Sequence, residues 1–351
     1  MLQQKQWEVL VGKAEQLAEI YSKYRFQILE EAQCQVFVTR EHFTKPPENA
    51  GYRNIGKGDV WGDDCDYAWF RASFYFKKEY EGRRIALYAD TDATEHLVFW
   101  QDEPVGALDY FAGCAAEARL HVYWELPAGL KAGGMYSADL EGYASHLFPS
   151  CFTMGQPVTF SHSVRKGPRV FRGIYLIEVN KEIEEFLNGL RFLKSLYDSE
   201  KDAYRRAKWE NAYLRLFELA YRFPEECDDR QEVEDSVRAC NAYLKELFEE
   251  GETEEGPFVS LIGHSHLDTA WLWDTEETMR KNARTVAIAL RGLERFPEYT
   301  FIQSSALHQK WLKEQYPDLF ARLKHFEAEG RFECNGGSYI EFDANLPGGE
   351  A

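Results

Sequence analysis

Long apolar runs are missing from this sequence: no stretch reaches the roughly 20 residues a helix needs to cross a bilayer. The amino terminus, MLQQKQWEVLVGKAEQLAEIYSKYRF, lacks an apolar core followed by a small-residue cleavage site, so its charges at helical spacing read as an amphipathic helix rather than a secretion signal. Positive charge is also short, with 41 Lys and Arg against 59 Asp and Glu, a net charge of −18 and a pI near 5.0. Nucleic-acid binding works by neutralising phosphates, so this balance excludes it and favours neutral or cationic ligands. The seven cysteines are scattered without a CxxC pair, which argues against a disulfide framework and for a reducing compartment, the cytoplasm by default. Phosphate-cradling glycine loops, GxSxG elbows, dinucleotide fingerprints, internal repeats and low-complexity segments are absent too. What is abundant is aromatic: 15% Phe, Trp and Tyr suits β-sheets and also sugar-binding surfaces.

A chain of 351 residues is long enough for two or three domains. Residues 1–50 read as an amino-terminal helical segment. Across 51–179, short aromatic and β-branched runs such as YAWFRASFYF, RRIALYAD, ARLHVYWEL and GIYLIEV are separated by turn residues, which predicts a β-sandwich or jelly-roll domain. QDEPVG, with Pro104 and Gly106, reads as a turn between antiparallel strands. From 180 to 255 the period becomes helical, as Ile183, Phe186, Leu187, Leu190 and Leu193 show. The acidic stretch Glu249 to Pro257 then marks a boundary.

Beyond it, residues 256–351 alternate strand and helix. FVSLIG, YTFIQSS and FECNGGSYIEF are extended runs, with a helix from Thr275 to Phe296 and another from Leu307 to Gly330, interrupted near Pro317. That alternation predicts a parallel sheet whose site lies at the carboxyl ends of its strands. His264, His266 and Asp268 follow FVSLIG, and in extended chain residues two apart face the same side, so His266 and Asp268 point together. An imidazole nitrogen beside a carboxylate suits zinc or a similar divalent ion, with Asp343 at a neighbouring strand end as a further ligand. Bland alternatives stand beside each: HSHLD as a hydrogen-bonded loop, Trp271 and Trp273 as packing rather than a sugar platform, Asp343 and Asn345 as turn residues. His308 and His325 read as surface or interface residues, Cys334 as a small buried one.

GHSHLDTAWLWDTEETMRKNARTVAIAL, FPEYTFIQSSALHQKWLKEQYPDLFARLK and EGRFECNGGSYIEFDANLPGGEA together resemble the start of the catalytic domain of glycoside hydrolase family 38 α-mannosidases, the cytosolic and bacterial type in particular. The resemblance runs from about Asn54 to the end. It implies a retaining α-mannosidase acting on α-mannosyl oligosaccharides. His266, Asp268 and Asp343 would bind one divalent ion, zinc or alternatively cobalt. Asp343 would also be the nucleophile, Trp271 would pack on the sugar, and His264 would stand behind the ligands. It further implies multidomain α and β architecture in which 256–351 begins an incomplete seven-stranded β/α barrel. The family's fourth metal ligand and general acid fall downstream of Ala351, so these residues alone are expected to bind metal poorly and turn over little substrate. Phe342 and Tyr339 stand where the family commonly has Pro and Trp. Two rivals remain: a metal-dependent amidohydrolase using His264 and His266, and a non-catalytic carbohydrate-binding module built on Trp61, Trp69, Trp100 and Trp124. Neither a membrane nor a nucleic acid is an expected partner, and self-association into a homo-oligomer stays open.

Overall fold

The computed structural model describes residues 4–109, 122–145, 167–221, 224, 227, 230–249, 259–271, 273–335 and 337–341. Its chain divides into two compact units, residues 1–29 with 177–259, and residues 30–176 with 260–351. The architecture is mixed α and β with several antiparallel sheets.

The first unit packs helices α1 (Gln4–Ser22), α2 (Lys181–Ser199), α3 (Ala203–Leu219) and α4 (Arg230–Glu249). Asn180 caps α2 by accepting from the Ile183 amide, and Asp202 caps α3 in the same way from Tyr204 and Arg205. The apolar stripes meet in a core that includes Leu17, Tyr21, Phe186, Leu190, Tyr213, Val237 and Leu244. Helix α1 stops at Ser22. Phe26–Glu31 and Gln33–Thr39, which lie in the stretch expected to be helical, form strands β1 and β2. The reason lies in the alternation of exposed and buried residues that opens β2, a period of two that only a strand can satisfy.

In the second unit a six-stranded antiparallel sheet runs β3-β2-β5-β10-β7-β8, where β3 is Arg53–Ile55, β5 Tyr67–Tyr75, β7 Glu95–Trp100, β8 Glu103–Asp109 and β10 Met135–Tyr143. Tyr67, Ala68, Trp69 and Phe70 of β5 are all buried, so the sheet is covered on both faces there. Trp61, Trp69, Trp100 and Trp124 are all buried, as core packing requires. The turn between β7 and β8 sits earlier than Pro104 and Gly106 implied. Gln101 and Asp102 form it with φ of 53° and 63°, the paired left-handed conformation of a tight hairpin, while Pro104 and Gly106 lie within β8.

The remaining part of this unit holds three parallel strands, β13 (Gly263–His264), β14 (Phe301–Ser304) and β15 (Phe332–Asn335). They are joined through α5 (Thr275–Arg295), α6 (Ala306–Gln315) and α7 (Pro317–Ala328). Pro317 opens α7 and breaks the helix there, because it lacks the N–H that a continuous helix would need. Of FVSLIG only Gly263 reaches the ladder, paired with Phe301; the next residue, His264, pairs with Ile302 and therefore lies in the strand rather than past it. Phe301 and Phe332 face Ala283, Val286, Leu290 and Leu293 of α5 and Leu319 and Leu323 of α7. Trp69, Leu97 and Phe99 of the antiparallel sheet share that core.

Charged residues anchor α5 to the antiparallel sheet. Glu277, Arg280 and Arg284 are buried. The Tyr67 hydroxyl donates to Glu277 at 2.7 Å, Arg280 Nε to Glu141 Oε1 at 3.1 Å, and Arg284 Nε lies 2.7 Å from Glu95 Oε2. Lys281 and Arg284 also contact Glu95 and Glu277 respectively. Burial alone would raise the Glu95 carboxyl, but the Arg284 and Lys281 charges hold it down to about 2.

Candidate active site

Beyond the carboxyl ends of β13 and β15, His266 meets Asp268 and Glu341. His266 Nε2 lies 3.3 Å from Asp268 Oδ1, so the pair spaced two apart does converge. Both side chains are about half exposed, open to a ligand. His266 Nδ1 contacts Glu341, whose carboxylate also receives the Ser304 hydroxyl. Glu341 is positioned by the segment after β15, because the first amides of α6 donate to it: Ala306 N to the Ser338 carbonyl at 3.3 Å and Leu307 N to that of Tyr339 at 2.9 Å.

Ser305, between β14 and α6, is buried with φ of 73°, a left-handed conformation costly to a side chain other than glycine and characteristic of functional sites. His308, read as a surface or interface residue, is 2% exposed and packed inside the unit. Its Nε2 faces the Thr269 hydroxyl at 3.5 Å and its carbonyl accepts from Asn282 Nδ2 at 2.8 Å. Burial, reinforced by nearby His266 and opposed by Glu341, lowers its pKa and keeps it neutral. His325 is exposed, as anticipated, and pairs with Glu329 at 3.2 Å. Cys334 is only partly buried.

Trp271 is 44% exposed and meets Trp273 edge-on. His264 is exposed, two residues before His266. Asp343 and Asn345 lie outside the described residues. Glu341, the one contact to His266 that sequence reasoning did not single out, stands two residues before Asp343 in the same quoted segment; its spacing was the available signal.

The donor chemistry of His266 and Asp268 suits a divalent ion. A His266 nitrogen and an Asp268 oxygen stand side by side, and the second imidazole nitrogen is engaged by a carboxylate, which fixes ring orientation in metal-binding histidines. Among the described residues no three His, Cys, Asp or Glu side chains gather as a complete ligand set. Likewise, no helix among them is long and apolar enough to cross a membrane.

Residues 257–351 match the family described as glycosyl hydrolases family 38 N-terminal domain. "Alpha-mannosidase 2C1" of Mus musculus is 27% identical over 322 residues, covering 90% of this chain and 29% of the mouse protein. "Alpha-mannosidase G" of Dictyostelium discoideum is 32% identical over 156 residues, 40% of this chain and 14% of that protein. The "Alpha-mannosidase" of Saccharomyces cerevisiae is 36% identical over 128 residues, 33% of this chain and 12% of that one. The chain thus spans less than a third of the length of each of these relatives.

Proposed function

With the family 38 N-terminal domain at residues 257–351 as premise, we propose that the chain serves a metal-dependent, retaining α-mannosidase that cleaves α-mannosyl oligosaccharides. The convergence of His266 and Asp268 at the carboxyl end of β13 carries this reading. His266, Asp268 and Asp343 are the residues that would hold a zinc or cobalt ion. When bound, that ion supplies Lewis-acid attraction for neighbouring sugar hydroxyls. Asp343 is the carboxylate nucleophile of a double displacement: it attacks the anomeric carbon as the glycosidic C–O bond breaks and the leaving oxygen takes a proton from a general acid, and water then hydrolyses the glycosyl ester to release mannose. Trp271, exposed and flat, gives the glycone an apolar face to stack on. Glu341 orients the His266 ring from behind, the role first expected of His264.

In this reading β13, β14 and β15 are the first strands of a seven-stranded β/α barrel, and the antiparallel sheets correspond to the sandwich domain. Burial of Trp61, Trp69, Trp100 and Trp124 argues against those rings as a separate sugar-binding face. The unbridged thiols of Cys34, Cys240 and Cys334 suit a reducing compartment such as the cytoplasm. Equilibrium dialysis of the chain against zinc and cobalt tests the ligand assignment. Asp268→Asn and His266→Ala should each lose the ion that the wild type takes up, and His264→Ala should keep it. Retention by Asp268→Asn with loss in His264→Ala would refute the assignment and point to a two-histidine site.

A further inference from the structure

Trp271 is the ring to which the proposed function assigns the sugar, and its orientation is set by neighbours that the sequence does not advertise. Its centroid lies 5.5 Å from that of Trp273, with the planes at 87°. Its amide donates to the Trp273 carbonyl at 3.1 Å, so ring and backbone both lean on the same residue. Trp273 is held in turn: its indole Nε1 donates to Thr278 Oγ1 at 3.1 Å, and the Lys281 ammonium stands 4.7 Å from its ring centroid. Lys281 is itself fixed by contacts to Glu95 and Glu277.

Thr278 is fully buried in the first turns of α5. A hydroxyl offers one proton and accepts at its lone pairs. Here it accepts from Trp273, while its proton faces the Asp274 carbonyl at 3.0 Å and the Thr269 carbonyl at 2.8 Å. The Asp274 contact is the ordinary four-residue back-bond of a helical threonine. The other two reach out of the helix to the two ends of the loop Thr269–Trp273, and Trp271 is in its middle. One buried hydroxyl therefore closes the loop immediately following Asp268.

We propose that Thr278 is the positioning residue of the sugar-binding loop: its hydroxyl clamps Thr269 to Trp273 and so sets the angle at which Trp271 meets a mannosyl ring. This rests on Trp271 being the sugar platform. The platform's orientation then depends on α5, and through Lys281 and Glu95 on the antiparallel sheet.

The nine tryptophans give indole N–H signals that a ¹⁵N-labelled chain resolves, and Trp271→Phe identifies the relevant one. Thr278→Val keeps the shape and removes the hydroxyl; Thr278→Ser restores it. The Trp271 signal should shift or broaden in Thr278→Val and return in Thr278→Ser. Methyl α-mannoside titrated into each chain should bind about fivefold more weakly to the valine variant alone, the loss expected for one hydrogen bond. A purely structural threonine would lower the melting temperature while leaving the Trp271 signal in place, and that result would overturn the proposal. Should Thr278→Val not fold, Thr278→Ala, well tolerated by a helix, takes its place under the same criterion. If the wild type does not respond to methyl α-mannoside, the sugar reading fails, and the Trp271 signal in the variants alone decides the clamp.

Discussion

Replacing Arg280 by Leu should destabilise the second unit more than removing Arg280 and Glu141 together. Both side chains are completely shielded from solvent, 3.1 Å apart, and the guanidinium lies 3.7 Å above the centre of the Tyr67 ring. Taking away one partner leaves the other charge buried, at a cost of about 3–5 kcal/mol. Loss of the ring contact adds about 1–2 kcal/mol. The double variant Glu141→Leu/Arg280→Leu leaves no orphan charge, and such replacements of buried pairs are commonly neutral or stabilising. Burial already pushes the Glu141 carboxyl upward against the pull of Arg280 and Arg284. Without Arg280 it should rise further. A group whose folded pKa exceeds its unfolded value contributes stability that is lost as pH rises through the folded pKa, so the Arg280→Leu penalty should shrink on acidification from pH 7 toward pH 5. Urea unfolding followed by tryptophan fluorescence, for the four members of the cycle at both pH values, measures this. Additive effects of the two single changes, or a penalty that grows on acidification, would refute the idea that pairing rather than packing holds α5 here.

Two further outcomes follow from buried groups in the same unit. His96, fully buried against the Thr91 hydroxyl at 2.7 Å, has its pKa lowered to about 3 by burial, and by the charge of Arg284. The unfolded chain takes up its proton near pH 6.5 and the folded chain does not. Stability should therefore fall by about 1.4 kcal/mol per pH unit for this group as pH drops from 6.5 toward 3. His96→Gln should flatten the pH dependence of chemical unfolding by that slope, and an unchanged slope would contradict the assignment. Gly106→Ala would place a methyl 2.9 Å from Trp124 Cδ1, whose ring packs on Trp100 at 5.6 Å. The expected cost is about 1–3 kcal/mol with a changed near-ultraviolet circular dichroism signal, and an alanine variant matching the wild type in both would count against that packing.

Much of the second unit was legible because its signals are local. The helix expected over Thr275–Phe296 ends one residue earlier, the break at Pro317 is where a missing N–H demands it, and alternating strand and helix did yield parallel pairing. Convergence of His266 and Asp268 needed only the two-residue period of extended chain. The amino-terminal strands were hidden by a charge-rich sequence that continues past α1 without a strong breaker. The β7–β8 turn was legible in QDEPVG, but its place at the first two residues was not, because Gln101 and Asp102 adopt positive φ without glycine while Pro104 and Gly106 lie in the strand.

Burial of charge could not be read locally, and it matters most for the site. Glu277, Arg280 and Arg284 at helical spacing look like a solvated face, and His308 at the start of α6 looks like a surface or interface histidine. The partners of the three α5 residues, Tyr67, Glu95 and Glu141, lie more than a hundred residues earlier in an antiparallel sheet. A β-rich segment that contributed sugar contacts of its own would have to expose its aromatic rings, whereas Trp61, Trp69, Trp100 and Trp124 are spent on its interior and Trp69 packs against α5. What this segment offers the candidate site is a row of buried carboxylates to which α5 is fastened. Since α5 begins immediately after the loop bearing Trp271 and carries Thr278 and Lys281, a change in Glu95 should reach Trp271 through Lys281 and Trp273 without touching it. The motif around His266 and Asp268 is thus local, while the anchoring of the helix that follows it comes from the antiparallel sheet.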